Sequence, residues 1–110
     1  MVVRIQADSV SIDANAKEAK VVTLSPPEGK RYNILEIALG ASGAGYFSIY
    51  IENQRIAHPL DKDALALDSR RILVDWSLKQ GETLKIVFTD ESGSSNTAKY
   101  LIVFEEVPAS

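Results

Sequence analysis

Residues 81–107 read Gly-Glu-Thr-Leu-Lys-Ile-Val-Phe-Thr-Asp, then Glu-Ser-Gly-Ser-Ser-Asn-Thr, then Ala-Lys-Tyr-Leu-Ile-Val-Phe-Glu-Glu-Val. The first segment alternates. Leu84, Ile86 and Phe88 share one side, and Thr83, Lys85 and Thr89 the other, which is the period of a half-buried strand. The middle segment holds Gly93 and Asn96 and no apolar side chain, as a turn does. The last segment is apolar without a break from Tyr100 to Phe104. Such a run suits a strand covered on both faces, or one awaiting a partner. Two strands and a polar tip predict an antiparallel hairpin. One hairpin alone is marginal in water, so the rest of the chain must supply sheets that bury it.

Outward from that stretch the same grammar repeats. Residues 46–52 place Phe47, Ile49 and Ile51 on one face and Tyr46, Ser48, Tyr50 and Glu52 on the other. Asn53-Gln54 predicts a tight turn, with residues 55–57 continuing beyond it. Residues 31–39 predict a strand with Leu35, Ile37 and Leu39 on one face. The glycine-rich bend at 40–45 has no phosphate-loop lysine. Pro26-Pro27 stops a β-branched strand over 20–25, because proline cannot donate to a ladder. Near the start, 2–6 predicts a first strand, 7–9 a turn and 10–14 an edge strand. Residues 15–20 read as a loop or a single turn. Residues 58–68 predict a connection between sheets, with one helical turn over 62–65. Residues 71–76 predict a strand with Ile72, Val74 and Trp76 on one side. Pro108 ends the last strand, and residues 7–19 and 108–110 are expected to be loose.

About eight short strands result, with almost no helix to cover them. The sheets must cover each other, which predicts an all-β chain: an antiparallel β-sandwich over residues 1–110, with jelly-roll or Greek-key topology. The chain has 110 residues, the size of one domain with a small core of its own. A net charge of -3 argues against a nucleic-acid surface. With no cysteine, disulfides, thiol nucleophiles and zinc ribbons are excluded, and the compartment stays open. No apolar run approaches the ~18 residues of a membrane helix, and the start lacks a signal-peptide layout. The single Met, the absent Cys and the charged surface suit a hot environment.

Candidate chemistry is sparse. His58 is the only imidazole and precedes a proline, so a structural or exposed histidine is the expected reading. The carboxylates Asp61, Asp63, Asp68, Asp75, Asp90, Glu91, Glu105 and Glu106 fall mostly in loops or at strand ends, where solvation explains them. Calcium through Asp61, Asp63 and Asp68, or through Asp90, Glu91 and Asn96, lacks the EF-hand register. No catalytic residue, metal site or cofactor is therefore expected. The sharper residues are aromatic. Tyr46 and Tyr50 lie about 13 Å apart on one outward face, where rings stack on sugars or fill a subunit interface. Neighbouring loops of the same chain could equally cover them. Trp76, in phase with Ile72 and Val74, reads as core. Within residues 100–104, one of the two sets needs cover from elsewhere. If Leu101 and Val103 face the core, then Tyr100, Ile102 and Phe104 need another cover, or the reverse: a second copy of the chain, or equally a packed end of the same sandwich.

The order Pro-Pro-Glu-Gly-Lys-Arg-Tyr-Asn-Ile-Leu-Glu-Ile (26–37), Tyr-Ile-Glu-Asn-Gln-Arg-Ile (50–56) and Gly-Glu-Thr-Leu-Lys-Ile-Val-Phe (81–88) resembles small jelly-roll domains of virus and phage particles. Capsid, decoration, turret and tail-adhesin modules belong to that group. The resemblance spans residues 20–107 and lies in strand and turn order, so it assigns no site residue. The chain also resembles the sandwich of carbohydrate-binding modules. The resemblance implies a non-enzymatic virion subunit that self-associates through an apolar sheet face or edge. A closed ring such as a trimer, with Tyr46, Tyr50, Tyr100, Ile102 and Phe104 as interface candidates, would bury the aromatics. Partners are then copies of itself, other virion proteins or glycans, with no nucleic acid and no membrane insertion. A carbohydrate-binding module using Tyr46 and Tyr50 is the second expectation, and a small hydrolase the third.

Overall fold

The computed structural model describes residues 2–52, 54–61 and 72–108. The expected helical turn at 62–65 lies outside them, as do Asp63, Asp68 and the side chains of residues 56–61 and 72–75, including those of His58, Asp61 and Asp75. The described residues form β1 (Val2–Ile12), β2 (Ala19–Leu24), β3 (Lys30–Ala41), β4 (Gly45–Ile51), β5 (Gln54–Asp61), β6 (Ile72–Leu78), β7 (Leu84–Asp90) and β8 (Asn96–Pro108), with no helix among them. Two four-stranded sheets result, ordered β1-β8-β3-β6 and β2-β7-β4-β5, and every pairing is antiparallel. The chain is an all-β sandwich.

The pairing is nested: β1 with β8, β2 with β7, β3 with β6 and β4 with β5. Only β4 and β5 are both consecutive and hydrogen-bonded, so the expected hairpin of 50–56 is present. The expected hairpin of 81–107 is not. β7 and β8 lie in different sheets, and the polar segment between them carries the chain from one layer to the other. A polar tip between two apolar strands fits both arrangements, because each strand can bury its face against a neighbour or across the core. Here they do the second.

Buried side chains from both sheets form one cluster, including Ile34, Ile37, Leu39, Ile102 and Phe104 from the first and Phe47, Ile49, Leu84, Ile86 and Phe88 from the second. Phe47 and Phe88 stack at 4.8 Å and Tyr32 and Phe104 at 4.6 Å between ring centroids, in tilted geometry. Burial of each such side chain contributes about 1.5–3 kcal/mol, which is what holds the two layers together. Gly45, at φ 155°, lets β4 approach β7 closely: a Cβ there would overlap the Phe88 ring and the Thr89 carbonyl oxygen.

Three local readings change. Residues 7–9 do not turn; β1 runs unbroken because its pairing with β8 is continuous from Val2 opposite Glu106 to Ile12 opposite Asn96. Long-range pairing overrides the weak turn preference of Ala-Asp-Ser. Residues 7–12 therefore lie within a strand. A register shift between Ile34 and Glu36 moves Leu35 out of phase, so Ile34 joins Ile37 and Leu39 in the core while Leu35 is left out of that phase. Third, β5 extends the expected 55–57 segment through His58 to Asp61.

Candidate functional site

The strand phases decide what each candidate residue can do. Tyr100, Ile102 and Phe104 are 6%, 0% and 3% exposed and face the other sheet. Leu101 and Val103 face outward and are half-buried. The alternative that sends Tyr100, Ile102 and Phe104 outward to a partner is thus replaced. They are core side chains, and the surface of β8 is carried by Leu101, Val103 and Lys99. Trp76 sits opposite the buried Ile34 and packs, half-buried, against the core.

Tyr46 and Tyr50 do lie on the outer face of the second sheet, each half-buried. Ser48 and Val87, directly opposite each other between them, are 1% and 3% exposed. The loop between β1 and β2 folds against this sheet. Asn15 and Glu18 both adopt left-handed backbone conformations, at φ 61° and 48°. Such conformations persist where surrounding bonds enforce them. Here the Asn15 amide donates to Asp90 Oδ2 at 2.8 Å, the Asp90 amide to the Ala16 carbonyl at 2.9 Å, and the Glu18 amide to Thr89 Oγ1 at 3.1 Å. The loop is stitched to β7, and this puts Lys17 and Glu18 over the sheet. A cavity of about 360 Å³ opens there, lined by Lys17, Glu18, Tyr46, Arg55 and Thr89.

Tyr50 is engaged on two sides. Its hydroxyl donates to Glu18 Oε1, and Lys85 Nζ lies 4.9 Å from its ring centroid, a cation–π contact. The bond to Glu18 raises the Tyr50 hydroxyl above its ordinary pKa, with desolvation and the Glu18 charge adding and Arg55 opposing. A ring face that a sugar would stack on is taken by the lysine. Tyr46 lines the cavity instead. Among the described residues Arg4–Glu106 is the one ion pair, so Lys17 and Arg55 form none there.

Asp90 and Asn96, weighed with Glu91 as calcium ligands and read as a solvated loop, are instead 6% and 3% exposed and form a hub. Asp90 Oδ1 accepts from Ser92 Oγ at 2.6 Å, Ser92 N at 3.2 Å and Asn96 Nδ2 at 3.1 Å. Asp90 Oδ2 accepts from the amides of Asn15 and Gly93. Asn96 Oδ1 in turn accepts from Ser42 Oγ at 2.9 Å, Gly43 N at 2.8 Å and Thr97 N at 3.0 Å. The Ser92 and Asn15 bonds hold the Asp90 carboxyl well below the usual carboxylate range. Its oxygens face hydrogen-bond donors, which repel a cation as they attract the carboxylate. Three connections (β1–β2, β3–β4 and β7–β8) meet at this hub, and spacing along the chain carries no sign of that meeting. Glu105 accepts from Asn33 Nδ2 and Glu106 pairs with Arg4, so these two carboxylates also have local partners. No cluster of three metal-competent side chains occurs among the described residues.

One further surface feature was not singled out from sequence. β1 is the edge of the first sheet. Val2, Val3 and Ile5 are 48%, 60% and 67% exposed, the large apolar side chains most open to solvent among the described residues. Val3, Ile5 and Ala7 share the outer face with Val103 and Leu101, because Ile5 pairs with Val103 and Ala7 with Leu101. The apolar stripe therefore crosses two strands and ends at an open edge. A signal was present in the sequence: Val3, Ile5 and Ala7, the successive outward positions, are all apolar. Comparisons with protein-family models, with curated proteins and with solved structures find no match.

Proposed function

We propose that this chain is a non-enzymatic structural subunit that assembles with copies of itself through the β1 edge and the outer face of β1 and β8. It would serve as jelly-roll domains serve in virus particles. The observation that carries the reading is the exposure of Val3 and Ile5 on an eleven-residue strand with one side unpaired among the described residues. Every second residue of an edge strand points its N–H and C=O outward, a template for another strand. Soluble proteins blunt such edges with lysine, proline or short length. β1 has no lysine or proline, and Arg4 and Asp8 are its only charges. The nested order of strand pairs supports the jelly-roll reading, an architecture shared by capsid and lectin domains. Fold does not by itself give function, so the particle role rests on the edge. Sedimentation equilibrium at tens of micromolar tests it. Wild-type protein is expected to associate and Ile5→Lys to remain monomeric with an unchanged circular dichroism spectrum. A monomeric wild type refutes the reading.

A second reading has its own observation, the cavity beside Tyr46. Its volume lies at the small end of ligand pockets, and one ring with Lys17, Glu18 and Arg55 could hold a saccharide unit. It ranks below the first because Tyr50 is already engaged. A glycan array compared between wild type and Tyr46→Ala tests it, and an array without Tyr46-dependent hits removes it.

A further inference from the structure

We infer that two copies join β1 to β1 antiparallel about a twofold axis through Gln6, which fuses the two four-stranded sheets into one continuous sheet. The inference rests on the assembly reading and adds its partner, symmetry and register.

The argument begins with the sequence of the edge: Val2-Val3-Arg4-Ile5-Gln6-Ala7-Asp8-Ser9-Val10-Ser11-Ile12. A twofold interface must be complementary to itself. In an antiparallel pair, residues directly opposite each other lie on the same face. β1 carries one cation, Arg4, and one anion, Asp8. They are an even number of residues apart, so they share a face. Only one antiparallel register sets each Arg4 opposite the other copy's Asp8, and its axis passes through Gln6. The pair then forms twice, once on each side of the axis.

The other positions agree with that register. Gln6 meets its own copy. Its Nε2 already donates to Tyr100 Oη at 3.4 Å, and a second N–H and the amide oxygen remain to exchange across the axis. Ile5 meets Ala7, twice, so the most exposed large apolar side chain gains an apolar neighbour. On its other side it already has Val103. Val2 meets Val10, and Val3 meets Ser9. Shifting the axis by one residue in either direction loses both charge pairs, so the register is specified by the only two charged side chains on the strand. Both are available. Arg4 is 53% exposed at its side chain and bonds Glu106 through Nη2 alone, with further donors left on its guanidinium. Asp8 Oδ1 accepts from the Ser9 amide at 2.8 Å, and its second oxygen takes no bond from a described residue.

Two experiments test the inference on the full chain. The first is a charge exchange followed by sedimentation. Arg4→Glu and Asp8→Lys should each raise the dissociation constant of the homodimer by on the order of tenfold to a hundredfold, because like charges then face each other twice. Mixing the two variants should restore association. In the mixed dimer the new carboxylate at position 4 faces the new ammonium at position 8, and the other pair is the original Arg4 with Asp8. The second is a cysteine scan, which starts clean because the chain has no cysteine. Directly opposed Cα atoms in an antiparallel pair lie about 4.5–5.5 Å apart, within disulfide reach. Gln6→Cys should therefore cross-link to itself under mild oxidation faster than Ile5→Cys or Ala7→Cys. A wild type that associates while the mixed variants do not, that cross-links fastest at position 5 or 7, or that sediments as a trimer overturns the twofold register and leaves self-assembly standing. A monomeric wild type overturns both.

Discussion

The two ends of β1 differ in kind. At its C-terminal end Ile12 is buried and lies opposite Asn96, beside the hub where Asp90 and Asn96 tie three connections together. At its N-terminal end Val2, Val3, Arg4 and Ile5 are all exposed, with nothing described beyond them on the open side. One end of the sandwich is closed by a charged group with both oxygens bonded. The other leaves apolar side chains in water. A strand stabilised so firmly at one end does not need exposed valine and isoleucine at the other for folding. Under the proposed assembly, the contrast separates residues that hold the monomer from residues that would meet a partner.

Substitutions at the two kinds of position should separate stability from association. The largest effect is expected in the core. Phe104→Ala removes a fully packed ring and should cost about 3–5 kcal/mol in chemical denaturation, without selectively weakening assembly of the folded fraction. Selective dissociation with unchanged stability would return Phe104 to the interface. Gly45→Ala comes next, at about 3 kcal/mol, because the new methyl must displace the Phe88 ring and the Thr89 carbonyl. At the hub, Asn96→Ala strands the Gly43 amide and the Ser42 hydroxyl and should cost about 2–3 kcal/mol by the same measurement.

The hub also predicts a pH dependence. The folded pKa of Asp90 lies below its ordinary value of 3.8, so the ionised group stabilises the fold above that value. That contribution disappears as pH falls through the folded pKa. The stability gap between wild type and Asp90→Asn should therefore be constant from pH 7 to about 5 and narrow toward about pH 2. A gap that widens in acid would contradict the bonding of Asp90. The smallest effect on stability belongs to the open end: Ile5→Ser should change unfolding free energy by only about 0.5 kcal/mol while weakening self-association.

Much of the architecture is legible because polarity alternates. Phe47, Ile49, Leu84, Ile86 and Phe88 sit where the period of two places them, and Tyr46 and Tyr50 lie on the opposite face. Where alternation fails, so does the reading. Residues 100–104 are apolar at every position, so neither phase is preferred until Ile34, Ile37 and Leu39 stand opposite Phe104, Ile102 and Tyr100. The shift at Leu35 carries no glycine or proline to announce it. The hub has partial signals. An aspartate two residues before Ser92 and three before Gly93 is a turn-forming arrangement, but only the fold brings Ser42 and Asn15 to it. The open edge is legible in composition and invisible in topology, because nothing in residues 2–12 says that β8 is their one sheet partner among the described strands.

That neighbour sets a timetable. Since β1 pairs with β8 alone among the described strands, it finds its mate only after the six strands between them have been made. Until then its valines and isoleucines are exposed on both sides, in a fold whose contacts are mostly distant and therefore slow to form. A neighbouring nascent copy on the same messenger could reach that strand first, so assembly and misassembly would compete at the same eleven residues.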